Sequence, residues 1–297
     1  MPDPDFARLL AGLRRDGYAV ARGLLPAALV RHLEAESERI LPTIAGAHRE
    51  RNRSQGSLVQ LADHPAFAPL IGAAELRVAF AGMGFRDPRF TSGYLISKPP
   101  RSPALFWHQD WWGWDDPISY TDAIAQFFVM VYLTETTPAN GCLRVVPGSH
   151  RRAHPLHKAI QAHDESLSRV TDPDHPLYQM HPDAMPVPVK PGDVVFGDAR
   201  LIHAAFPNDS DADRSLLTLW YHPDFAALPA PMRATIRNVY DRCEVDTDPA
   251  AADAMTVDQW PTEAKRLVAD LLPPENPPDA RPHPWNRVPH WQDEPAA

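Results

Sequence analysis

The chain has 297 residues, of which 44% are hydrophobic and 23% charged, and its formal net charge is -9. That is enough apolar material for one large domain, while a charge of that sign excludes a surface built to grip nucleic-acid phosphates. No apolar run reaches the roughly 18 residues a bilayer span needs, and Met1-Pro2-Asp3-Pro4-Asp5 lacks a signal-peptide pattern. The expectation is a cytoplasmic protein with no membrane partner. Two cysteines, Cys142 and Cys243, are too few for a disulfide framework or a thiolate zinc site. Proline is the exception in composition, with 34 residues where about 15 is usual, which predicts long, stiff, ordered loops.

Taken in order, residues 5–16 read as an amphipathic helix with Phe6, Leu9, Leu10 and Leu13 on one face. Gly17-Tyr18-Ala19-Val20 reads as a short strand. Pro26 opens a second helix, with Leu29, Val30, Leu33 and Ile40 inward. Residues 43–56 are polar and basic and read as an exposed loop. Arg49, Arg51 and Arg53 there are either solvated or a rim for an anionic substrate. Short helices are predicted near 64–71 and 74–83.

From residue 88 the period shortens. Apolar runs split by Pro, Gly, Asn and Asp predict strands near 89–97, 104–111, 123–134, 142–146, 185–190, 193–197, 201–206 and 214–222. Such a series suggests a double-sheet jelly roll or barrel with the helices on one face. Residues 150–184 show no strand signal and read as a lid or an irregular connection, with His154, His157, His163, His175 and His181 mostly at the surface. A helix over 262–272, capped by Thr262, precedes a proline-rich tail. Trp285 and Trp291 in that tail predict an extended strap against the body, since disordered tails are poor in tryptophan.

The chemistry concentrates in Trp107-His108-Gln109-Asp110-Trp111-Trp112. Residues i and i+2 of a strand share a face, so an imidazole and a carboxylate project together. They are two-thirds of the 2-His-1-carboxylate facial triad that suits non-haem Fe(II). His203, on a late apolar strand, is a candidate third ligand, although a lone histidine there also reads as a hydrogen-bonded core residue. Arg214 opens an apolar strand eleven residues later. A guanidinium at that place needs a planar anionic partner: either a carboxylate ligand or one of Asp209, Asp211 and Asp213. Asn140-Gly141 is a turn signal, and His150, just past a turn, suits a hydrogen bond better than ligation.

The ordered set resembles the phytanoyl-CoA dioxygenase family of Fe(II)- and 2-oxoglutarate-dependent oxygenases. The matching pieces are Leu95-Ile96-Ser97-Lys98-Pro99-Pro100, His108-Gln109-Asp110, Asn140-Gly141-Cys142-Leu143-Arg144-Val145-Val146-Pro147-Gly148-Ser149-His150, Pro191-Gly192-Asp193, and His203 with Arg214. The resemblance covers roughly residues 8–222. It implies a mainly β fold with flanking helices around a double-stranded β-helix (jelly-roll, cupin-like) core. The chain is read as a single domain over 1–272, with a helical N-terminal segment over 1–86, a β core over 87–222 and a C-terminal helical segment over 223–272, followed by a strap over 273–297. The resemblance also implies iron on His108, Asp110 and His203, and 2-oxoglutarate clamped by Arg214, with Tyr94 and Gln126 also at the cosubstrate. Family members often carry a hydroxyl two residues after the distal histidine; this chain has Ala205 there, so one cosubstrate hydrogen bond is missing.

The implied reaction uses O2 to hydroxylate a small molecule, with succinate and CO2 as co-products. Asp110 points away from halogenation, because halogenases of this superfamily have a small residue at its position. Trp107, Trp111, Trp112 and Trp114, followed by Asp115 and Asp116, are either core or an aromatic and acidic wall for a cationic substrate; strand alternation turns Trp112, with Trp114 nearby, toward the pocket. Two other readings use the same residues: a jelly-roll metal- or ligand-binding protein without catalysis, and a zinc hydrolase. The latter leaves Arg214 without a role.

Overall fold

The computed structural model describes residues 5–159, 164–241 and 256–291; Cys243 and His163 lie outside the described residues. Among the described residues ten strands form two antiparallel sheets. They are β1 (Tyr18–Ala21), β2 (Val59–Gln60), β3 (Arg89–Lys98), β4 (Leu105–His108), β5 (Phe127–Tyr132), β6 (Leu143–Val145), β7 (Met185–Val187), β8 (Val194–Asp198), β9 (His203–Ala205) and β10 (Arg214–His222). The larger sheet runs β1-β8-β5-β10-β3-β2 and the smaller β4-β9-β6-β7. Two facing sheets with the chain crossing repeatedly between them are the jelly-roll core that the strand series predicted.

Alternation along β10 shows how the sequence sorts its two faces. Leu217, Leu219 and Tyr221 join a core beneath the helices. Leu216 and Trp220 turn the other way, into the space between the sheets with Phe128, Met130, Tyr132, Leu143 and Val145. The helical side comprises α1 (Phe6–Asp16), α2 (Ala27–Ile40), α3 (Gly46–Arg51), α4 (Ala68–Ile71) and α5 (Ala74–Gly82). Leu9 and Leu13 of α1 and Val30, Leu33 and Ile40 of α2 face that core, as the helical period required. Two short helices, α6 (Pro155–Ala159) and α7 (Glu165–Arg169), cover the small sheet. The chain closes with α8 (Ala230–Tyr240) and α9 (Thr262–Val268). Among the described residues no helix is long and apolar enough to cross a membrane.

Several expectations are corrected. Within the segment expected to be mainly helical, 1–86, the strand read at 17–20 is β1, while β2, which joins the same larger sheet, lies outside the expectation. Residues 43–56 are exposed over much of 43–53, Arg53 included, but they are not simply a loop: 46–51 form α3, and Asn52, Ser54 and Gln55 are buried. Arg49 donates to the Leu41 carbonyl at 2.9 Å rather than standing free. The connection 150–184 is a packed cap, with Leu167, Val170, Leu177 and Tyr178 against Phe106 and Trp107 of β4. His154 and His157 are buried within it. Thr262 does not cap α9; Pro261 occupies that position without a side-chain bond.

Candidate active site

His108 ends β4, and β9 pairs with it so that His203 lies directly across the ladder. The two rings stand 4.2 Å apart by centroid. Strand β4 stops there, so Asp110 is not placed by strand alternation. Instead the Asp110 and Trp111 N–H groups both donate to the Ala199 carbonyl at 2.9 Å, tying this segment to the turn that follows β8. The carboxylate then spans the pair: Oδ1 lies 3.7 Å from His108 Nε2, and Oδ2 lies 3.7 Å from His203 Nε2. One ligand atom from each of the three residues falls within 4.8 Å of the others.

Hydrogen bonding sets which nitrogens face inward. His108 Nδ1 donates to the Phe106 carbonyl at 2.9 Å, and His203 Nδ1 donates to the Leu201 carbonyl at 3.0 Å. A carbonyl only accepts, so both protons sit on Nδ1 and both Nε2 lone pairs point at the common centre. Trp220 Nε1 donates to Asp110 Oδ2 at 2.9 Å and orients the carboxylate. Phe128 lies against the His203 ring at 4.9 Å. It can do so because residue 197 is glycine: a Cβ there would meet the Phe128 ring at 2.0 Å. The Pro-Gly-Ser-His turn is structural, since Ser149 Oγ accepts the Ile202 N–H at 2.9 Å and His150 Nε2 bonds the Arg14 carbonyl at 3.1 Å. Two imidazoles and a carboxylate converging from one side are the donor set of a facial Fe(II) triad.

Arg214 begins β10 and faces the same interior, at 2% exposure. Its Nε and Nη1 are buried and have no hydrogen-bond partner. Asp211 pairs with Arg101 instead, so among the described residues no carboxylate answers this guanidinium. Burial pushes its pKa down. Lys98 pairs with it across the β3–β10 ladder and donates to the Ser54 carbonyl at 2.6 Å and to the Pro103 carbonyl. Burial, reinforced by the charges of Arg214 and Arg144, holds the Lys98 amine well below its ordinary range. Two further buried polar atoms have no partner: Thr218 Oγ1, four residues along β10 from Arg214, and Gln126 Oε1, immediately before β5 of the same sheet. A donor fork with no acid of its own fits a ligand carboxylate, so these residues fit 2-oxoglutarate as well as the triad fits iron.

Tyr94 lies on β3, its ring 5.8 Å from that of Trp220. Ala205 is buried on β9 opposite Leu105 and Leu143. The tryptophans do not form an acidic wall. Trp107 donates to the Gln179 carbonyl at 2.8 Å under the cap, while Trp111, Trp112 and Trp114 pack with Phe225, Leu228, Met232 and Ile236. Trp114 is fully buried and faces Trp291, and Trp112 faces Trp285, so both lie beneath the C-terminal strap. Asp115 bonds Asn286 and His290, and Asp116 caps the Ile118 N–H. The expected strand through Trp112 ends at His108, which is why its alternation misplaces these rings. Sequence reasoning missed Trp220, which the inward alternation from Arg214 along β10 could have found. The same alternation reaches Thr218, also missed; Gln109 and Arg287 were missed too, and no periodicity marks them.

A second cluster, His154, His181 and Asp183, brings its ligand atoms within 4.8 Å. Nδ1 of His154 accepts the Leu156 N–H and Nδ1 of His181 the Asp183 N–H, each at 3.2 Å. The protons therefore sit on Nε2, and His154 Nε2 donates to Asp183 Oδ2 at 3.4 Å. This is a hydrogen-bonded imidazole–carboxylate group in the cap.

Comparison with known proteins agrees with this geometry. The family model for phytanoyl-CoA dioxygenase (PhyH) matches residues 13–216. The chain belongs to the phytanoyl-CoA dioxygenase family. All three triad residues and Arg214 fall inside the matched span. The "Phytanoyl-CoA dioxygenase 1" of Oryza sativa subsp. japonica is 29% identical over 156 residues, covering 52% of each chain. The "Ectoine dioxygenase" of Sphingopyxis alaskensis is 26% identical over 238 residues, covering 74% of this chain and 76% of the relative. The chain spans about half the length of the first curated relatives it matches. Among solved structures, the SnoK carbocyclase of nogalamycin biosynthesis, a non-heme alpha-ketoglutarate-dependent protein, superposes with a TM-score of 0.53 at 26% identity, covering 72% of this chain and 83% of that one. The S. alaskensis EctD structure with 2-oxoglutarate and 5-hydroxyectoine gives 0.55 at 22% identity, covering 75% and 78%; at that identity the likeness is one of fold.

Proposed function

We propose that this phytanoyl-CoA dioxygenase family member is a non-haem iron, 2-oxoglutarate-dependent dioxygenase that hydroxylates a small molecule, with succinate and CO2 as co-products. The observation that carries the reading is the pairing of two features in one interior. His108, Asp110 and His203 converge on a common centre, and the buried Arg214 fork faces that interior with Nε and Nη1 unanswered. A zinc hydrolase would use the first and leave the second unexplained, as would a binding protein without catalysis.

In this reading Nε2 of His108, Nε2 of His203 and a carboxylate oxygen of Asp110 hold Fe(II), and Arg214 takes the distal carboxylate of 2-oxoglutarate. Bound iron with 2-oxoglutarate and O2 supplies the oxidising power, through decarboxylation to succinate. The protein's residues supply placement. The Phe106 and Leu201 carbonyls fix each imidazole by its Nδ1–H, and Trp220 holds the Asp110 carboxylate. Phe128, Met130 and Leu216 line the inter-sheet space with apolar surface, which excludes water and strengthens the Arg214–carboxylate attraction. Gln126, just before β5, and Tyr94 on β3 would flank the cosubstrate from the larger sheet.

The test is anaerobic addition of Fe(II) and 2-oxoglutarate, followed by O2. We expect a weak visible absorbance on mixing and O2-dependent succinate formation. His108→Ala and Asp110→Ala should abolish both, and Arg214→Ala should raise the 2-oxoglutarate requirement at least about tenfold. Full succinate yield from either ligand variant would remove the iron assignment.

A further inference from the structure

The C-terminal strap reaches the metal centre. Residue 286 bridges to the segment just after Asp110: Asn286 N–H donates to the Trp112 carbonyl at 2.8 Å, and Trp114 N–H donates to the Asn286 carbonyl at 3.2 Å. The Gln109 amide, between the two metal-site residues, donates to the Arg287 carbonyl at 2.8 Å. On one side His283 is fastened by Thr235, whose hydroxyl donates to its carbonyl at 2.8 Å. On the other, His290 N–H donates to the Tyr120 hydroxyl at 2.7 Å and Trp291 packs on Trp114. The backbone on both sides of Arg287 is thus pinned.

The Arg287 side chain is half-buried and aims along the metal-bearing segment. Its guanidinium lies 5.1 Å over the Trp285 ring, and Nη1 makes one long bond, 3.5 Å, to the Asp110 carbonyl. A guanidinium has five N–H donors; among the described residues this one makes no close ion pair, and the acid that acts on it is Asp110, through space, with Tyr94 behind it. The acids around it are spent. Asp115 is held by Asn286 and His290, and Asp110 faces the two imidazoles and Trp220. A partly desolvated cation stacked on an indole, fixed at both flanks and short of partners, is a prepared oxyanion receptor.

We propose that Arg287 anchors the substrate, and that the substrate carries an oxyanion, either a carboxylate or a phosphonate-type group. This rests on the oxygenase reading and names its substrate class. It reverses the charge that the Trp-Trp-x-Trp-Asp-Asp run suggested. An oxyanion on this fork is held beside Asp110, so the carbons adjoining it are the ones presented to the metal.

The test is binding without turnover. Protein loaded with Ni(II) in place of iron is titrated with 2-oxoglutarate by calorimetry and then, saturated with it, with matched probes by ligand-observed NMR. The probes are benzoate, phenylphosphonate and benzamide, and hexanoate, hexylphosphonate and hexanamide. We expect an oxyanion of at least one set to bind about tenfold or more tighter than its amide, the carboxylate and phosphonate arms telling which oxyanion is preferred. Arg287→Gln should remove that advantage and leave the amide unaffected. Arg287→Lys, which keeps the charge and loses the fork, should restore it in part. A near-UV circular dichroism spectrum like that of the unaltered protein checks that the strap is still docked. Amides binding as well as both oxyanions, or oxyanion affinity unchanged in Arg287→Gln, overturns the proposal. A loss of 2-oxoglutarate affinity in Arg287→Gln also overturns it, by assigning Arg287 to the cosubstrate. No 2-oxoglutarate binding by the unaltered protein would instead remove the oxygenase reading.

Discussion

Trp220 shows how much a site owes to residues that never touch its ligand. Its indole N–H holds one oxygen of Asp110 at 2.9 Å, so Trp220→Phe keeps an aromatic ring and deletes the orienting bond. Outer partners of this kind are worth roughly 10- to 100-fold in metal affinity. We expect a loss in that range by chelator competition, and an unchanged affinity would make the indole mere packing. Gly141 plays the matching role for Arg214. It stands at φ 85°, and a Cβ there would sit 3.3 Å from Arg214 Nε. Gly141→Ala should cost about 1–2 kcal/mol of stability for the left-handed backbone alone, read by urea denaturation. It should also weaken 2-oxoglutarate binding by displacing the guanidinium.

At the scale of elements, what the sequence discloses depends on whether the information is local. The alternating apolar runs carry their own period, so all eight strands expected beyond residue 88 exist, the last with both ends as expected and the others with shifted ends. The His-x-Asp pair and Arg214 are visible because motif spacing is also local. The end of the 43–56 stretch misleads because what buries it is distant: the Ser54 carbonyl takes a bond from Lys98 Nζ at 2.6 Å, and a Cβ on Gly56 would collide with the Ser97 carbonyl at 2.0 Å. Polar composition there reflects bonds to β3 rather than solvent. The tryptophans after Asp110 mislead because β4 ends at His108, where the Ala199 carbonyl captures two successive N–H groups. The strap is legible as an element, from Trp285 and Trp291, but its register is not. Deleting residues 281–297 should uncover Trp112 and Trp114. The expected outcome is a red-shifted tryptophan emission and a lower melting midpoint; an unshifted spectrum would mean the strap covers nothing.

For the whole molecule, buried imidazoles set the response to acid. Burial pushes His157 and His222 down to about 4, from a reference of about 6.5. Between those values the unfolded chain takes up protons that the folded chain refuses, so the unfolded state binds more and stability falls as pH falls through that window. Urea midpoints measured at pH 7.5 and pH 5 should therefore differ, with the lower midpoint at pH 5. A flat profile would contradict the burial of these rings. His157 also lies 6.0 Å from the Trp291 ring, so the strap should loosen early in the same titration.

The division of labour between the two sheets has one more consequence. His108 and His203 belong to the smaller leaf, whereas Arg214 and Trp220 belong to the larger. On the proposed function, an ion held by the smaller leaf and a dicarboxylate taken by Arg214 on the larger would work as a bolt and its nut. Each would fix the gap that the other must fit, so occupancy by either should tighten the grip on its companion and raise the melting point of the whole sandwich.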